Sequence, residues 1–237
     1  MARKATRSRA RRPAPKAPRA GSPRERIIES FMELLAQNPI ERIGLAEIAS
    51  SAGVSLADLR GEFSSPIAIL AAHVKEIDRK VLSEIDPEMA EESPRERLFD
   101  VLMRRLELLA PHKQAVRSLL RSARSDPPLA LALNALAVRS QQWMLTAAGI
   151  SAAGPKGMLR AQGLSCLYAN VLRTWVDDED EGQARTLAAL DRELARGQRF
   201  SGLLDELCRI PEAACAFRQR MRGAPRRGRD RDARVAA

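Results

Sequence analysis

Aromatic residues are scarce in this chain: two Trp, one Tyr and five Phe make up only 3% of its 237 residues. A β-rich core built on aromatic and β-branched cross-strand pairs is therefore not expected. Cysteine is rarer still. Cys166, Cys208 and Cys215 form an odd, scattered set without a Cys-x-x-Cys pair. That excludes a disulfide framework and fits reduced thiols in a cytoplasmic protein. The two histidines, His73 and His112, have no neighbouring cluster of Cys, His or carboxylates in the sequence. Both read as surface residues, and neither metal nor triad chemistry has anything to build on. No glycine-rich phosphate loop occurs. No apolar run approaches the roughly 18 residues of a membrane span, and the basic N-terminus has no apolar stretch behind it to act as a signal peptide. Catalysis, metal binding and cofactor binding are all unsupported, which leaves recognition.

What the chain does have is helix-forming residues and charge in blocks. It is 45% apolar, rich in Ala, Leu and Arg, a composition that favours helices nearly throughout. Residues 1–24 hold nine Lys or Arg and no acid, and residues 218–237 hold eight Arg against Asp230 and Asp232. The net charge of +10 therefore lies at the two ends, and the stretch between them is acidic. Pro13, Pro15 and Pro18 break the amphipathic helix that a mitochondrial presequence would need. The ends read as disordered polycations, which either add non-sequence-specific affinity for nucleic acid or are simply solvated.

Helix starts are legible as caps. Ser22-Pro23-Arg24-Glu25 and Ser93-Pro94-Arg95-Glu96 are capping boxes with proline at the first helical position. Ser65-Pro66 and Asp126-Pro127 are the simpler cap-plus-proline form. The spacing predicts helices near 23–37, 45–51, 55–62, 66–85, 94–109, 112–124, 127–148, 155–176, 181–199 and 201–221. Gly149 closes the seventh, and Gly154-Pro155 opens the eighth. No strand pattern competes, so the expected fold class is all-α. The polar stretch from Asp86 to Ser93 marks a break. The expected organisation is a basic tail over 1–22, a head with a connecting helix over 23–85 and a larger helical body over 93–199. An amphipathic helix over 200–222 and a second basic tail over 223–237 complete it.

The stretch from Leu45 to Phe63 reads as a helix-turn-helix. Ala46, Ile48 and Ala49 are expected to form the inward face of its first helix. Gly53 supplies a residue able to take positive φ at the helix end. Val54 plugs the corner, and Ser55 caps the second helix with Asp58 three positions on. Leu59 and Phe63, four apart, return that helix to the core. In a DNA reader this second helix enters the major groove. The charge argues back, because between Glu41 and Ala72 two Arg stand against four acids, Glu41, Glu47, Asp58 and Glu62.

The layout RIIESFMELLAQNP…IGLAEIASSAGVSLADLRGEFSSPIAIL, over about residues 24–80, resembles the TetR family of one-component repressors. The resemblance implies a homodimer whose heads read a palindrome in double-stranded DNA while the body binds an effector. The residues it places against DNA are Gly44, Leu45, Ser55, Leu56, Ala57, Asp58, Arg60 and Gly61. Three habitual DNA-facing positions depart from the family's usual aromatic, His and Lys: they hold Arg60, Glu62 and Pro66. Arg60 is suited to a phosphate or a guanine.

A second resemblance covers about residues 95–200. RERLFDVLMRRLELLAPH, the DPPLALAL step, Trp143, Ala148-Gly149-Ile150, Tyr168, Trp175, Asp177-Asp178 and Thr186 are similar to the coenzyme Q biosynthesis accessory family. That family has a TetR-like fold and binds isoprenoid lipids. It implies an alternative, a lipid-binding accessory protein of ubiquinone biosynthesis with a vestigial head.

Trp143, Met144, Leu164, Leu167, Tyr168, Val171, Leu172 and Trp175 sit on two long helices at three- and four-residue spacings. They suit either a cavity for an apolar small molecule or lipid, or an ordinary core. Helices 155–176 and 181–199 lie where the TetR family pairs its subunits. The acidic run from Asp177 to Glu181 suits a cation, but more often such a run caps the next helix. Leu203, Leu207, Ile210, Ala214, Phe217 and Met221 form an apolar stripe with Arg209, Arg218, Arg220 and Arg222 off it. Such a 203–221 stretch suits either peripheral membrane contact or docking on the body or a dimer partner.

Overall fold

A computed structural model describes residues 21–199. The two basic tails and the 203–221 stripe lie outside the described residues. Eight helices are bounded: α1 Pro23–Gln37, α2 Leu45–Ala52, α3 Leu56–Glu62, α4 Pro66–Ser83, α5 Pro94–Leu109, α6 Lys113–Ser125, α7 Pro127–Ala147 and α8 Gly154–Val176. A ninth helical stretch, α9, is described over 184–199. Among the described residues there is no strand, in agreement with the all-α expectation. Short 3-10 turns fill Ile40–Arg42, Pro87–Glu91 and Ala110–His112, where the sequence pattern is silent.

The expected caps form. Glu25 N–H and Glu96 N–H donate to the Ser22 and Ser93 hydroxyls, and each Glu carboxylate accepts in return from the cap's backbone. Ser65 and Asp126 cap α4 and α7 through Ala68 N–H and Leu129 N–H. Each such cap is worth about 1 kcal/mol. Within the unit that runs to Glu193, α1 buries Ile27, Ile28, Phe31, Met32 and Leu35 against α2, α3, α4 and α6. Ala115 and Leu119 of α6 and Leu129 of α7 join the same core. Burying each large side chain stabilises by about 1.5–3 kcal/mol. Ser118 Oγ donates to the Asn38 carbonyl at 3.0 Å and ties α6 to the end of α1.

In the body, α4 packs on α5 and α7, and α7 packs on α8. Arg97 clamps the break after α4: its guanidinium donates to the carbonyls of Ala90, Glu92 and Ala148 at 2.8–3.0 Å. Lys113 and Arg117 of α6 donate to the Asp178 and Val176 carbonyls, placing positive charge at the C-terminal end of α8. Asp178 caps α9 by accepting from Thr186 N–H at 2.9 Å and from the Thr186 hydroxyl at 2.7 Å. The Thr186 hydroxyl holds the Asp178 carboxyl below its usual range. The acidic run thus serves as a helix cap, the preferred of its two readings.

Two expectations are corrected. Ala46 is exposed, and the buried face of α2 is Ile48, Ala49 and Ala52; Ala46 and Ile48 are about 200° apart around a helix and cannot share a face. His73 and His112 are not surface residues. His73 lies midway between Ile69 and Ile77 on the buried stripe of α4, and His112 is half-buried against it, ring centroids 4.7 Å apart at 89°.

Gly157, in the first turn of α8, allows the closest backbone approach. A Cβ there would meet the carbonyl carbon of Ala152 at 2.1 Å. Gly157→Ala is expected to force the 150–157 turn apart and to cost about 1–3 kcal/mol. Urea unfolding checks it, with Gly163→Ala, whose added Cβ would meet nothing within 4 Å, on the same helix as a neutral or stabilising control.

Candidate nucleic-acid interface and effector site

The helix-turn-helix forms as its sequence dictates. Gly53 ends α2 at φ +64° and ψ 39°, and Val54 N–H donates back to the Ala49 carbonyl at 3.0 Å. Ser55 Oγ accepts from Asp58 N–H at 3.0 Å and donates to Asp58 Oδ2 at 2.7 Å, while Ser55 N–H reaches the same oxygen at 3.1 Å. The Ser55 hydroxyl and backbone hold the Asp58 carboxyl below its usual range. Leu59 and Phe63 anchor α3 in the core.

Because that face is pinned inward, the opposite one is presented. Gly44, Leu45, Ser55, Leu56, Ala57, Asp58, Arg60 and Gly61 are all exposed. Leu56 is 55% exposed, a large apolar side chain held in water at the start of α3. Beside it an open groove of about 500 Å³ is lined by Arg24, Arg60 and Lys75 together with Glu62, Phe63 and Ser64. The Glu62 carboxylate lies 3.5 Å from Arg24, whose guanidinium stacks 4.7 Å above the Phe63 ring. Glu62 therefore occupies a cation that would otherwise face outward. Arg24 and Lys75 were missed from sequence because they lie on α1 and α4, far from α3 in the chain.

The apolar body residues divide. Met144, Leu164, Tyr168, Val171 and Trp175 are buried, and Leu167 and Leu172 are half-buried. Trp143 stands apart at 59% exposure, lining a separate groove of about 660 Å³ with Gln142, Thr146 and Gly149. Beside Tyr168 lies a polar node that sequence reasoning missed. Arg105 Nε of α5 donates to Asp78 Oδ1 of α4 at 3.2 Å, and Ser140 Oγ of α7 donates to the same oxygen at 2.7 Å. The Arg105 guanidinium lies 5.2 Å from the Tyr168 ring centroid. Burial opposes the Arg105 charge, but Tyr168 and Asp78 outweigh it and raise its pKa. Burial pushes the Tyr168 phenol up, with Arg105 pulling the other way. Among the described residues neither end of the Gln141 amide has a hydrogen-bond partner.

Among the described residues no cluster of three His, Cys, Asp or Glu side chains could hold a metal ion, and no helix is long and apolar enough to cross a membrane.

A three-helix head with a helix-turn-helix, joined through a long α4 to a helical body, is the fold of TetR-type regulators. A TetR transcriptional regulator from Nitrosomonas europaea ATCC 19718 superposes with a TM-score of 0.59 at 23% identity, over 75% of this chain and 99% of that one. A tetR-family transcriptional regulator from Streptomyces coelicolor gives 0.52 at 17% identity, over 87% and 91%. A TetR transcriptional regulator from Rhodococcus sp. RHA1 gives 0.50 at 23% identity, over 73% and 96%. No protein-family model and no curated protein matches the chain. At these identities the likeness establishes the fold.

Proposed function

We propose that the protein is a dimeric, cytoplasmic transcriptional regulator of the TetR type, a repressor whose head reads double-stranded DNA and whose body binds an apolar small molecule. It is not an enzyme on this reading. One observation carries it: the face of α3 that a major groove would meet is exposed end to end, while Gly53, the Ser55–Asp58 box, Leu59 and Phe63 hold the helix rigidly behind it. Arg60, Arg24 and Lys75 gather as cations on one side of that face, although Glu62 pairs with Arg24 there. Exposed Met158 and Leu159 on α8 are apolar surface that a second copy would cover. Effector binding would act on the heads through α4.

Fluorescence anisotropy of the full chain on the gene's own upstream region and on a scrambled duplex, across a salt series, tests this. Preference for the native duplex that survives moderate salt is expected. Arg60→Ala should weaken binding and reduce the salt slope by about one. Glu62→Gln, which releases Arg24, should strengthen binding. Binding that ignores sequence and collapses with salt in all three proteins would leave only the basic tails at work. The lipid-binding accessory reading, favoured by Glu62 standing against the DNA-facing side, would then take precedence, with co-purifying prenyl lipid as its sign.

A further inference from the structure

The side of the head that meets a major groove is short of hydrogen-bonding side chains. Ser55 donates its one hydroxyl proton to Asp58 Oδ2 at 2.7 Å, and its backbone N–H to the same oxygen at 3.1 Å. The Ser55 Oγ in turn accepts from Asp58 N–H at 3.0 Å, so both side chains serve the cap. Gly44 and Gly61 carry no side chain, and those of Leu45, Leu56 and Ala57 are hydrocarbon. Of these exposed residues, Arg60 alone brings side-chain donors that the cap does not use. It lines the open groove with Arg24 and Lys75, where three cations suit the phosphate backbone. Leu56 is left as the large apolar side chain that α3 holds in water, 55% exposed.

We propose that Leu56 reads the 5-methyl group of a thymine in each half-site, so that apolar contact rather than a hydrogen-bond pattern carries the base specificity of this head. The proposal rests on the head reading double-stranded DNA. The thymine methyl is the hydrocarbon group that a base pair presents in the major groove, and an aliphatic side chain is its matching partner. Such a contact acts at short range and needs a helix held at a fixed height over the base edges. Leu59 and Phe63, buried in the core, supply that hold. Leu56 and Arg60, four residues apart, share a face of α3. Arg60 on the backbone fixes where the helix sits, and Leu56, one turn before it, meets the base. Cytosine carries hydrogen where thymine carries the methyl, which leaves Leu56 without its contact on the wrong sequence.

The gene's own upstream region, copied once with dTTP and once with dUTP, gives two duplexes that differ in the thymine methyl groups alone. Fluorescence anisotropy of the full chain on both, with a scrambled duplex alongside, tests the proposal. The unaltered protein is expected to bind the thymine duplex about tenfold more tightly, through one methyl buried at each head of the dimer. Leu56→Ala should bind the two duplexes within about twofold of each other, with an unchanged salt slope because no charge is removed. Arg60→Ala should bind both more weakly and keep the unaltered ratio. Leu56 is exposed and its side chain makes no cap bond, so the Leu56→Ala protein is expected to unfold at the same urea concentration. Equal affinity of the unaltered protein for the two duplexes, with the native region still preferred to the scrambled one, would overturn the methyl contact and leave the DNA-reading head standing. A Leu56→Ala protein that keeps the full discrimination would also overturn it, because the methyl would then be sensed elsewhere. No preference for the native region over the scrambled duplex sinks both readings.

Discussion

Asp78→Leu and Arg105→Met are each expected to lower the unfolding free energy by about 3–5 kcal/mol, whereas the double replacement should be close to neutral or stabilising. The pair is buried on both sides, at 7% and 9% side-chain exposure, so neither charge can turn to water when its partner is lost. Removing Asp78 strands a guanidinium beneath α4 and leaves the Ser140 hydroxyl without its acceptor. Removing Arg105 strands a carboxylate with only that hydroxyl to solvate it. The double variant removes both desolvation penalties and fills the space with apolar volume. Urea unfolding of the four proteins closes a double-mutant cycle, with coupling several-fold above the ~0.5–1 kcal/mol of an exposed pair. Arg104 and Glu84, 3.2 Å apart on the surface between the same two helices, supply that comparison. Coupling no larger than theirs would mean that water reaches the node. A destabilised double variant would mean that the pair is worth more than its volume in hydrocarbon.

Local chemistry was legible in the sequence, and long-range chemistry was not. A capping box involves residues three apart, so Ser22 with Glu25, Ser55 with Asp58 and Ser93 with Glu96 could be read directly, as could the positive φ of Gly53. Those positions bound α1, α2, α3 and α5, and with them the head. The Asp78–Arg105 bond joins residues 27 apart, and the Ser140–Asp78 bond residues 62 apart. No periodicity within one helix announces either. The same holds for Arg97, whose side chain reaches 51 residues on to Ala148. Some signal was present and unused. Trp143 and Met144 are neighbours on α7 and so lie about 100° apart, which places them at different angles to the core. Met144 enters it, and Trp143 faces water. His73 likewise sits four residues from both Ile69 and Ile77, on a stripe whose period predicts burial whatever the residue type. Polarity outweighed position in the reading of that residue, and position decided the structure.

That buried imidazole should make the protein lose stability with acid well before its carboxylates titrate. Burial, aided by the facing His112 and by the charges of Arg105 on α5 and Lys80 on α4, lowers the His73 pKa from 6.5 to about 4. The folded state therefore binds fewer protons than the unfolded chain through that interval. Stability is complete above about pH 6.5 and falls as the pH drops, and the loss from this one group levels off near pH 4 at about 3 kcal/mol. His112 acts in the same direction through its own burial, with Glu29 of α1 opposing and Lys80 assisting. Asp58, Glu96 and Asp178, held below their usual range by Ser55, Ser93 and Thr186, lose their contributions only at lower pH. The window between pH 6.5 and 4 is thus set by the histidines. His73→Phe keeps a ring against His112 and removes the titration. Urea midpoints at pH 7, 5.5 and 4.5 should show a steep decline in the unaltered protein and a markedly flatter one in the variant. Parallel declines would mean that His73 takes up its proton without leaving the packed interface between α4 and the turn at His112. Because the folded-state pKa of about 4 keeps His73 neutral in the native protein, DNA binding measured where the protein stays folded is expected to remain level from about pH 8 to well below 6.5.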